Sequence, residues 1–74
     1  MAKEQRVTSR QAITVLVRRG FFFSRQVGSH AIYRNAEGKR ATVPVHGAKI
    51  LHPKIVKTIR EDLGLSVEEF RELL

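Results

Sequence analysis

The chain contains no cysteine. Disulfides, thiolate metal ligands and cysteine nucleophiles are therefore excluded, and a reducing compartment fits this composition. No apolar run approaches the roughly 18 residues that a membrane span needs, and residues 1–10 lack the apolar core of a signal peptide. A Gly-rich phosphate loop, a nucleophile elbow and paired carboxylates are also missing, so nucleotide hydrolysis and glycosidase chemistry have no support. We expect a cytoplasmic protein without a membrane segment.

Acidic residues are scarce over most of the chain. Residues 1–60 carry 13 basic and 2 acidic side chains, a net charge of +11, whereas residues 61–74 carry 1 and 5, a net charge of −4. Because each neutralised phosphate releases condensed counterions, a body this basic favours a polyanionic partner. Nucleic acid is the first candidate, and an anionic membrane or an acidic protein is the alternative.

The hydrophobic pattern predicts a single domain over residues 1–74, with helices at both ends of the chain. A first helix is expected between Ser9, as the N-cap, and Gly20, as the stop. Its apolar stripe is expected at Ala12, Ile13, Leu16 and Val17, with Val15 off the stripe. A second helix is predicted from Pro53 to Gly64. The capping box SVEE at residues 66–69 then opens a short third helix ending at Leu74.

Three strand-like segments lie between the first two helices: FFFSRQV, HAIYRN and RATVPV. Alternation puts Ala31 and Tyr33 on one side of the second strand, and His30, Ile32 and Arg34 on the other. Pro44 cannot donate to a sheet ladder, so the third strand is expected to be an edge strand or to end at Pro44. The run of phenylalanines at 21–23 could stack on bases as in single-strand binders, but in so small a chain it is expected mostly in the core, with one ring exposed. Amphipathic helices need one sheet face to bury against, so we expect an α+β two-layer fold with a three-stranded antiparallel sheet and one open face.

His30 is the residue with an obvious catalytic capacity, and it follows a predicted Gly28-Ser29 turn. RNA cleavage by 2′-OH attack needs a proton taken, a proton given and positive charge near the phosphorus, and histidine exchanges protons near neutral pH. Gly28 allows close backbone approach to a phosphate, and Ser29 offers a hydroxyl. On spacing alone, an ordinary residue at a strand start is the simpler interpretation of His30.

An open sheet face on a basic protein is the expected RNA surface, and the sheet register decides which side chains reach it. Depending on that register, His30, Arg25, Arg34 and Arg40 are the candidates for this face. Outside it, Lys54, Lys57 and His46 are further candidate phosphate contacts, although a solvated loop residue is the simpler interpretation of His46. The two lysines fit a solvated helix face equally well. His52 is expected to cap the second helix or lie in water. The histidine spacing matches no metal-site pattern, so neither a metal nor another cofactor is expected.

Taken together, the motifs resemble those of the HicA toxins. They are Gly20-Phe21 at the helix end, RQVGSHAIYRN, GKRATVPVHG and GLSVEEF, and the resemblance runs from Ser9 to about Leu74. It implies an α-β-β-β-α fold like that of double-stranded-RNA-binding domains. It also implies a metal-independent mRNA interferase, an endoribonuclease that blocks translation. The histidine of the Gly-Ser-His motif, here His30, would be catalytic, and His46 at the V-P-x-H position would support it.

The resemblance also implies a protein partner, a HicB-like antitoxin that covers the active site. The toxin would be a monomer when free and part of a hetero-oligomer with the antitoxin. Two departures are visible: the hairpin turn reads NAEG where the family usually has a turn resembling HPDG, and residues 1–8 form an expected mobile basic arm. Two other functions stay open, a non-catalytic RNA-binding module of the same fold and a protein-interaction module for an acidic partner.

Overall fold

The computed structural model describes residues 3–74 and shows one antiparallel sheet packed against helices. The elements are α1 (Ser9–Arg18), β1 (Phe22–Val27), β2 (His30–Arg34), β3 (Arg40–Pro44), α2 (Pro53–Leu63) and α3 (Val67–Glu72). The strands form a meander in the order β1-β2-β3, so β3 is an edge strand as predicted. The α+β class and the three-stranded antiparallel sheet are thus confirmed. Within residues 3–74, no helix has the length and apolar character needed to cross a bilayer.

Helix α1 begins with a capping box one residue earlier than predicted. The Thr8 hydroxyl accepts from the Gln11 N–H at 3.2 Å, and the Gln11 side chain accepts from the Thr8 N–H at 2.9 Å. Each side chain thereby satisfies a backbone donor that the first helical turn leaves free. The prediction of Ser9 as the cap is wrong, because the Ser9 hydroxyl bonds to a distant strand instead.

The buried face of α1 also differs from the predicted stripe. Val15 is fully buried and Val17 is 55% exposed, the reverse of the expectation. The true stripe is Ser9, Ala12, Val15 and Leu16. It follows the same helical period as the predicted one, but it starts at a serine, and apolar periodicity does not count a polar residue.

The start and end of α2 and the start of α3 follow their local chemistry as predicted, whereas α3 ends at Glu72 and not at the predicted Leu74. His52 is the N-cap of α2, and its Nδ1 accepts from the Lys54 N–H at 3.1 Å. Gly64 ends α2 in the left-handed conformation at φ +69°, which glycine adopts without a Cβ penalty. Ser66 and Glu69 form the predicted capping box of α3. Hydrogen bonds with the backbone and with the side chain of Ser66 hold the pKa of the Glu69 carboxyl below its ordinary value of 4.5.

The core lies between the helices and one face of the sheet. The sheet contributes Ala31, Tyr33, Ala41 and Val43 to this core. From the helical layer come the side chains of Leu16, Val56, Ile59, Leu63 and Phe70, among others. The opposite face of the sheet is not covered by any element of residues 3–74, as the two-layer expectation requires.

The segment before α1 packs against the domain over the residues that the structure describes. Val7 is fully buried, and its carbonyl accepts from the Leu51 N–H at 2.8 Å. Glu4 pairs with Arg60 through two hydrogen bonds of 2.8 and 2.9 Å, and this pairing holds the pKa of Glu4 below 4.5. The expected mobile arm at residues 1–8 includes Met1 and Ala2, which lie outside the described residues.

A bulge in β1 decides where two phenylalanines point. Phe23 pairs with Tyr33 and Arg25 pairs with Ile32, so Ser24 is an extra residue between two ladder positions. The bulge reverses the alternation, and Phe22 therefore shares the open face with its partner Arg34. Of the three phenylalanines only Phe21 is buried, while Phe22 and Phe23 are 54% and 55% exposed. The prediction of a mostly buried phenylalanine run is wrong.

Candidate nucleic-acid interface

The turn before His30 is a two-residue hairpin loop. Val27 and His30 are the last pair of the β1–β2 ladder, which leaves Gly28 and Ser29 as the loop. Gly28 has φ +58°, and a positive φ at the first loop position is the feature of a type II′ turn. The Ser29 carbonyl accepts from the Val45 N–H at 2.7 Å, which extends the β2–β3 pairing by one residue. The loop is thus held from both sides.

His30 is exposed, and it is the first residue of the central strand. Its two cross-strand neighbours are Val27 on β1 and Pro44 on β3. Among residues 3–74, no group hydrogen-bonds its imidazole, so both ring nitrogens are available to a ligand. The backbone of His30 is therefore fixed by two ladders, while its ring is accessible and makes no hydrogen bond within the described residues.

The register brings the predicted arginines onto the same face as His30. Directly paired residues share a face and alternate residues return to it, so three rows of three side chains cover the open face. The rows are Val27, His30 and Pro44; then Arg25, Ile32 and Thr42; then Phe22, Arg34 and Arg40. Hereafter these nine residues are called the open face. All four of the residues proposed from the sequence for this surface, His30 and the three arginines, lie on it.

The open face carries positive charge with no compensating acid. It contains three arginines, one histidine and no Asp or Glu. Arg34 and Arg40 lie directly opposite each other, and like charges at this spacing destabilise a sheet. Within residues 3–74 the single ion pair joins Glu4 to Arg60, away from this face. Guanidinium groups on adjacent strands without an acidic partner can bind an anion such as a phosphate or a carboxylate.

The centre of the open face is apolar. Ile32 lies on this side by register, yet it is only 7% exposed, because the neighbouring side chains in its row and in the flanking rows cover it. It takes no part in the core between the sheet and the helices. The aliphatic side chain at the centre of the face is therefore covered by the side chains around it and is not itself exposed to a ligand.

His46 and the turn lie at the same end of the sheet. His46 follows Val45, whose N–H bonds to Ser29, and it is exposed. The hydroxyl of Ser9, a residue only 2% exposed, donates to the Pro44 carbonyl and accepts from the His46 N–H at 3.1 Å. The first turn of α1 thereby fixes the backbone that leaves β3 beside His30. No local sequence pattern indicates this link, because Ser9 lies more than thirty residues from both groups that it bonds.

Lys54 and Lys57 are not brought together with the other candidates. Both are exposed on α2, whose buried side faces the core, so they belong to the helical layer and not to the open face. Lys57 lies near Glu4, whose pKa it helps to lower. Among the described residues there is also no group of three histidines or carboxylates placed to hold a metal ion.

A groove of about 600 Å³ adjoins this end of the sheet on the helical side. Ile13, Val45 and Ala48 give it an apolar wall, and Arg10 lies at its edge. Because Val45 follows Pro44 along the chain, its side chain points to the side of the sheet opposite His30. The groove therefore lies on the helical side of the sheet and is not part of the open face.

Comparison with known proteins identifies the family. No curated protein matches the chain. A family model described as the HicA toxin of bacterial toxin–antitoxin systems matches residues 9–65, from the start of α1 to the residue after Gly64. The match includes the Gly28-Ser29 turn, His30 and every residue of the open face. The chain therefore belongs to the HicA toxin family, the toxin component of toxin–antitoxin systems in which the partner is an antitoxin.

Proposed function

We propose that this toxin is an endoribonuclease that cleaves mRNA and blocks translation, with His30 as its catalytic residue. The observation that carries the proposal is the coincidence of His30 with three unpaired arginines on one uncovered sheet face. A histidine free of internal hydrogen bonds supplies proton transfer, and guanidinium groups supply charge stabilisation for a phosphorane. Family membership supports a toxic activity, and mRNA cleavage in the cytoplasm is an activity that this site can perform.

In the proposed reaction the RNA 2′-oxygen attacks the adjacent phosphorus. His30 takes the proton of the 2′-OH, the bond from phosphorus to the 5′-oxygen breaks, and that oxygen leaves with a proton. The products are a 2′,3′-cyclic phosphate and a free 5′-OH end. The second proton comes from the imidazolium that the first step creates, or from water. His46, whose backbone is fixed beside the turn, has a supporting role at most.

Binding of the RNA is assigned to the groups nearest the attacked phosphate and along the strands. Ser29 and the backbone at Gly28 would contact the phosphate beside His30, since glycine lets a phosphate approach closely. Arg25, Arg34 and Arg40 would hold neighbouring phosphates. Lys54 and Lys57 lie on the helical layer and contribute only to the long-range positive field. The antitoxin, a HicB-like protein, would cover the open face and convert a free monomer into an inactive hetero-oligomer.

The first test is induction of the wild-type protein and His30→Ala in a bacterial host, with total mRNA integrity measured. Growth arrest and mRNA loss are expected with the wild type and not with His30→Ala. His52→Asn is the matched control, because it removes another exposed histidine while asparagine keeps an acceptor at the N-cap of α2. It should arrest growth as the wild type does. A folded His30→Ala protein that still degrades mRNA would show that another group performs the chemistry.

A second test uses purified protein and a short RNA. A 2′-deoxy substitution at the cleaved nucleotide should block cleavage, because it removes the nucleophile, and EDTA should leave the rate unchanged. RNA that stays intact despite salt-sensitive binding would identify a non-catalytic RNA-binding module instead. Absence of salt-dependent RNA binding would favour a module for an acidic protein. The three functions therefore give three different results in one experiment.

A further inference from the structure

We propose that Phe22 is a stacking platform for one unpaired base of the RNA on the open face. The inference rests on the proposed function, since RNA is its ligand. Phe22 is 54% exposed, lies outside the core and pairs with Arg34, which itself lies opposite Arg40. An aromatic ring next to unpaired guanidinium groups is the arrangement by which single-strand binders hold a base and its flanking phosphates.

The bulge at Ser24 gives the two exposed phenylalanines different roles. Phe23 lies on the helical side, where its ring meets the Tyr33 ring edge-on with 5.8 Å between centroids. Phe22 lies on the other side, and within residues 3–74 no aromatic ring packs against it. Its ring therefore leaves a flat apolar surface in solvent that the fold does not use. A base has such a surface on both sides and is the complementary ligand.

The surroundings of Phe22 favour RNA over a protein segment as the occupant. A protein docking patch would need contiguous exposed apolar area, but the neighbours of Phe22 on the open face are Arg34 in its own row and Arg25 in the next. No carboxylate on this face offsets them. An isolated ring in a field of positive charge matches a polyanion that carries flat bases.

The distance between Phe22 and His30 also sets the length of RNA that the toxin contacts. Phe22 is at the level of Arg34, four residues along β2 from His30, and four strand residues span about 13 Å. The stacked base is therefore a few nucleotides along the RNA from the cleaved phosphate. It always lies in the same direction from that phosphate along the strand. Bases within a duplex are already stacked and paired, so the substrate must be single-stranded from the platform to the cleavage point.

The test compares Phe22→Ala with Phe23→Ala, two neighbouring and equally exposed phenylalanines on opposite sheet faces. In a His30→Ala background that does not consume the RNA, each protein is titrated with RNAs carrying 2-aminopurine at one position at a time. Phe22→Ala should bind roughly 5- to 150-fold more weakly, which is the loss typical of one stacked base. Phe22→Tyr should restore the affinity, and Phe23→Ala should not change it. Fluorescence should be quenched at one position only, and Phe22→Ala should abolish that quenching.

The outcomes separate this inference from the function on which it rests. If Phe22→Ala and Phe23→Ala both bind RNA as tightly as the parent His30→Ala protein, and the wild type cleaves RNA, the stacking site is overturned and the ribonuclease activity stands. Equal losses in both would also overturn it, because a general apolar effect would explain them. A wild type that neither binds nor cleaves RNA would refute the proposed function itself. Melting curves establish that each variant is folded, and Phe22→Leu replaces Phe22→Ala if the alanine variant is not.

Discussion

Replacing Ser9 with alanine should lower the free energy of unfolding more than the loss of one hydroxyl from an exposed helix position would. The Ser9 hydroxyl donates to the Pro44 carbonyl and accepts from the His46 N–H, and the residue is only 2% exposed. Leaving a buried polar group without its partner costs about 1–3 kcal/mol. The better helix propensity of alanine offsets up to roughly 0.5 kcal/mol of this. The His46 end is partly hydrated, so we expect a net loss of about 1–2 kcal/mol in the free energy of unfolding.

The assay is thermal unfolding followed by circular dichroism. In a domain of this size, 1 kcal/mol corresponds to roughly 4–8 °C, so the melting temperature of Ser9→Ala should fall by about 4–16 °C. Thr58→Ala is the matched control, since it also deletes a hydroxyl that bonds to a carbonyl, that of Lys54 at 3.0 Å, but on an exposed helix face. Its change should stay within about 0.5 kcal/mol. Equal melting temperatures for the two variants would refute the assignment of Ser9 as the link between α1 and β3.

Two further perturbations test an ion pair and the turn before His30. Because Arg60 lowers the folded-state pKa of Glu4, this pair stabilises the fold fully above pH 4.5 and loses its effect as the pH falls through the lower folded value. The melting temperatures of the wild type and Glu4→Gln should therefore differ at neutral pH and converge in acid, and a gap that widens in acid would contradict this. Gly28→Ala should cost about 1–2 kcal/mol for the left-handed backbone at φ +58°, although no atom obstructs a Cβ there. Gly28→Asn should cost less in the same melting experiment, and equal costs would mean that conformation is not the cause.

Sequence patterns predicted the features that depend on neighbouring residues. The Ser66–Glu69 capping box and the end of α2 at Gly64 are local hydrogen-bonding and backbone effects, so a few letters determine them. His30 at a strand start after a glycine turn was predictable for the same reason. The edge position of β3 followed from Pro44, which has no N–H to donate.

The incorrect predictions involve contacts between distant parts of the chain. The role of Ser9 depends on Pro44 and His46, more than thirty residues away, and nothing near Ser9 indicates that these groups are close. The burial of Val15 in place of Val17 belongs to the same helix face, whose buried stripe begins at Ser9. The sides of Phe22 and Phe23 depend on an inserted residue, and strict alternation from Val27 back to Phe22 assigns both rings to the wrong face.

The bulge in β1 also bears on how the chain avoids self-association. β1 is an edge strand whose six residues are all exposed, and such an edge offers unpaired backbone groups and apolar side chains to any other strand. The extra residue at Ser24 breaks the regular spacing of those groups, and the adjacent Arg25 adds charge. Both features disfavour extension of the sheet by a second copy of the chain along β1. The irregularity that presents an aromatic ring on one face thus also limits aggregation through the neighbouring edge.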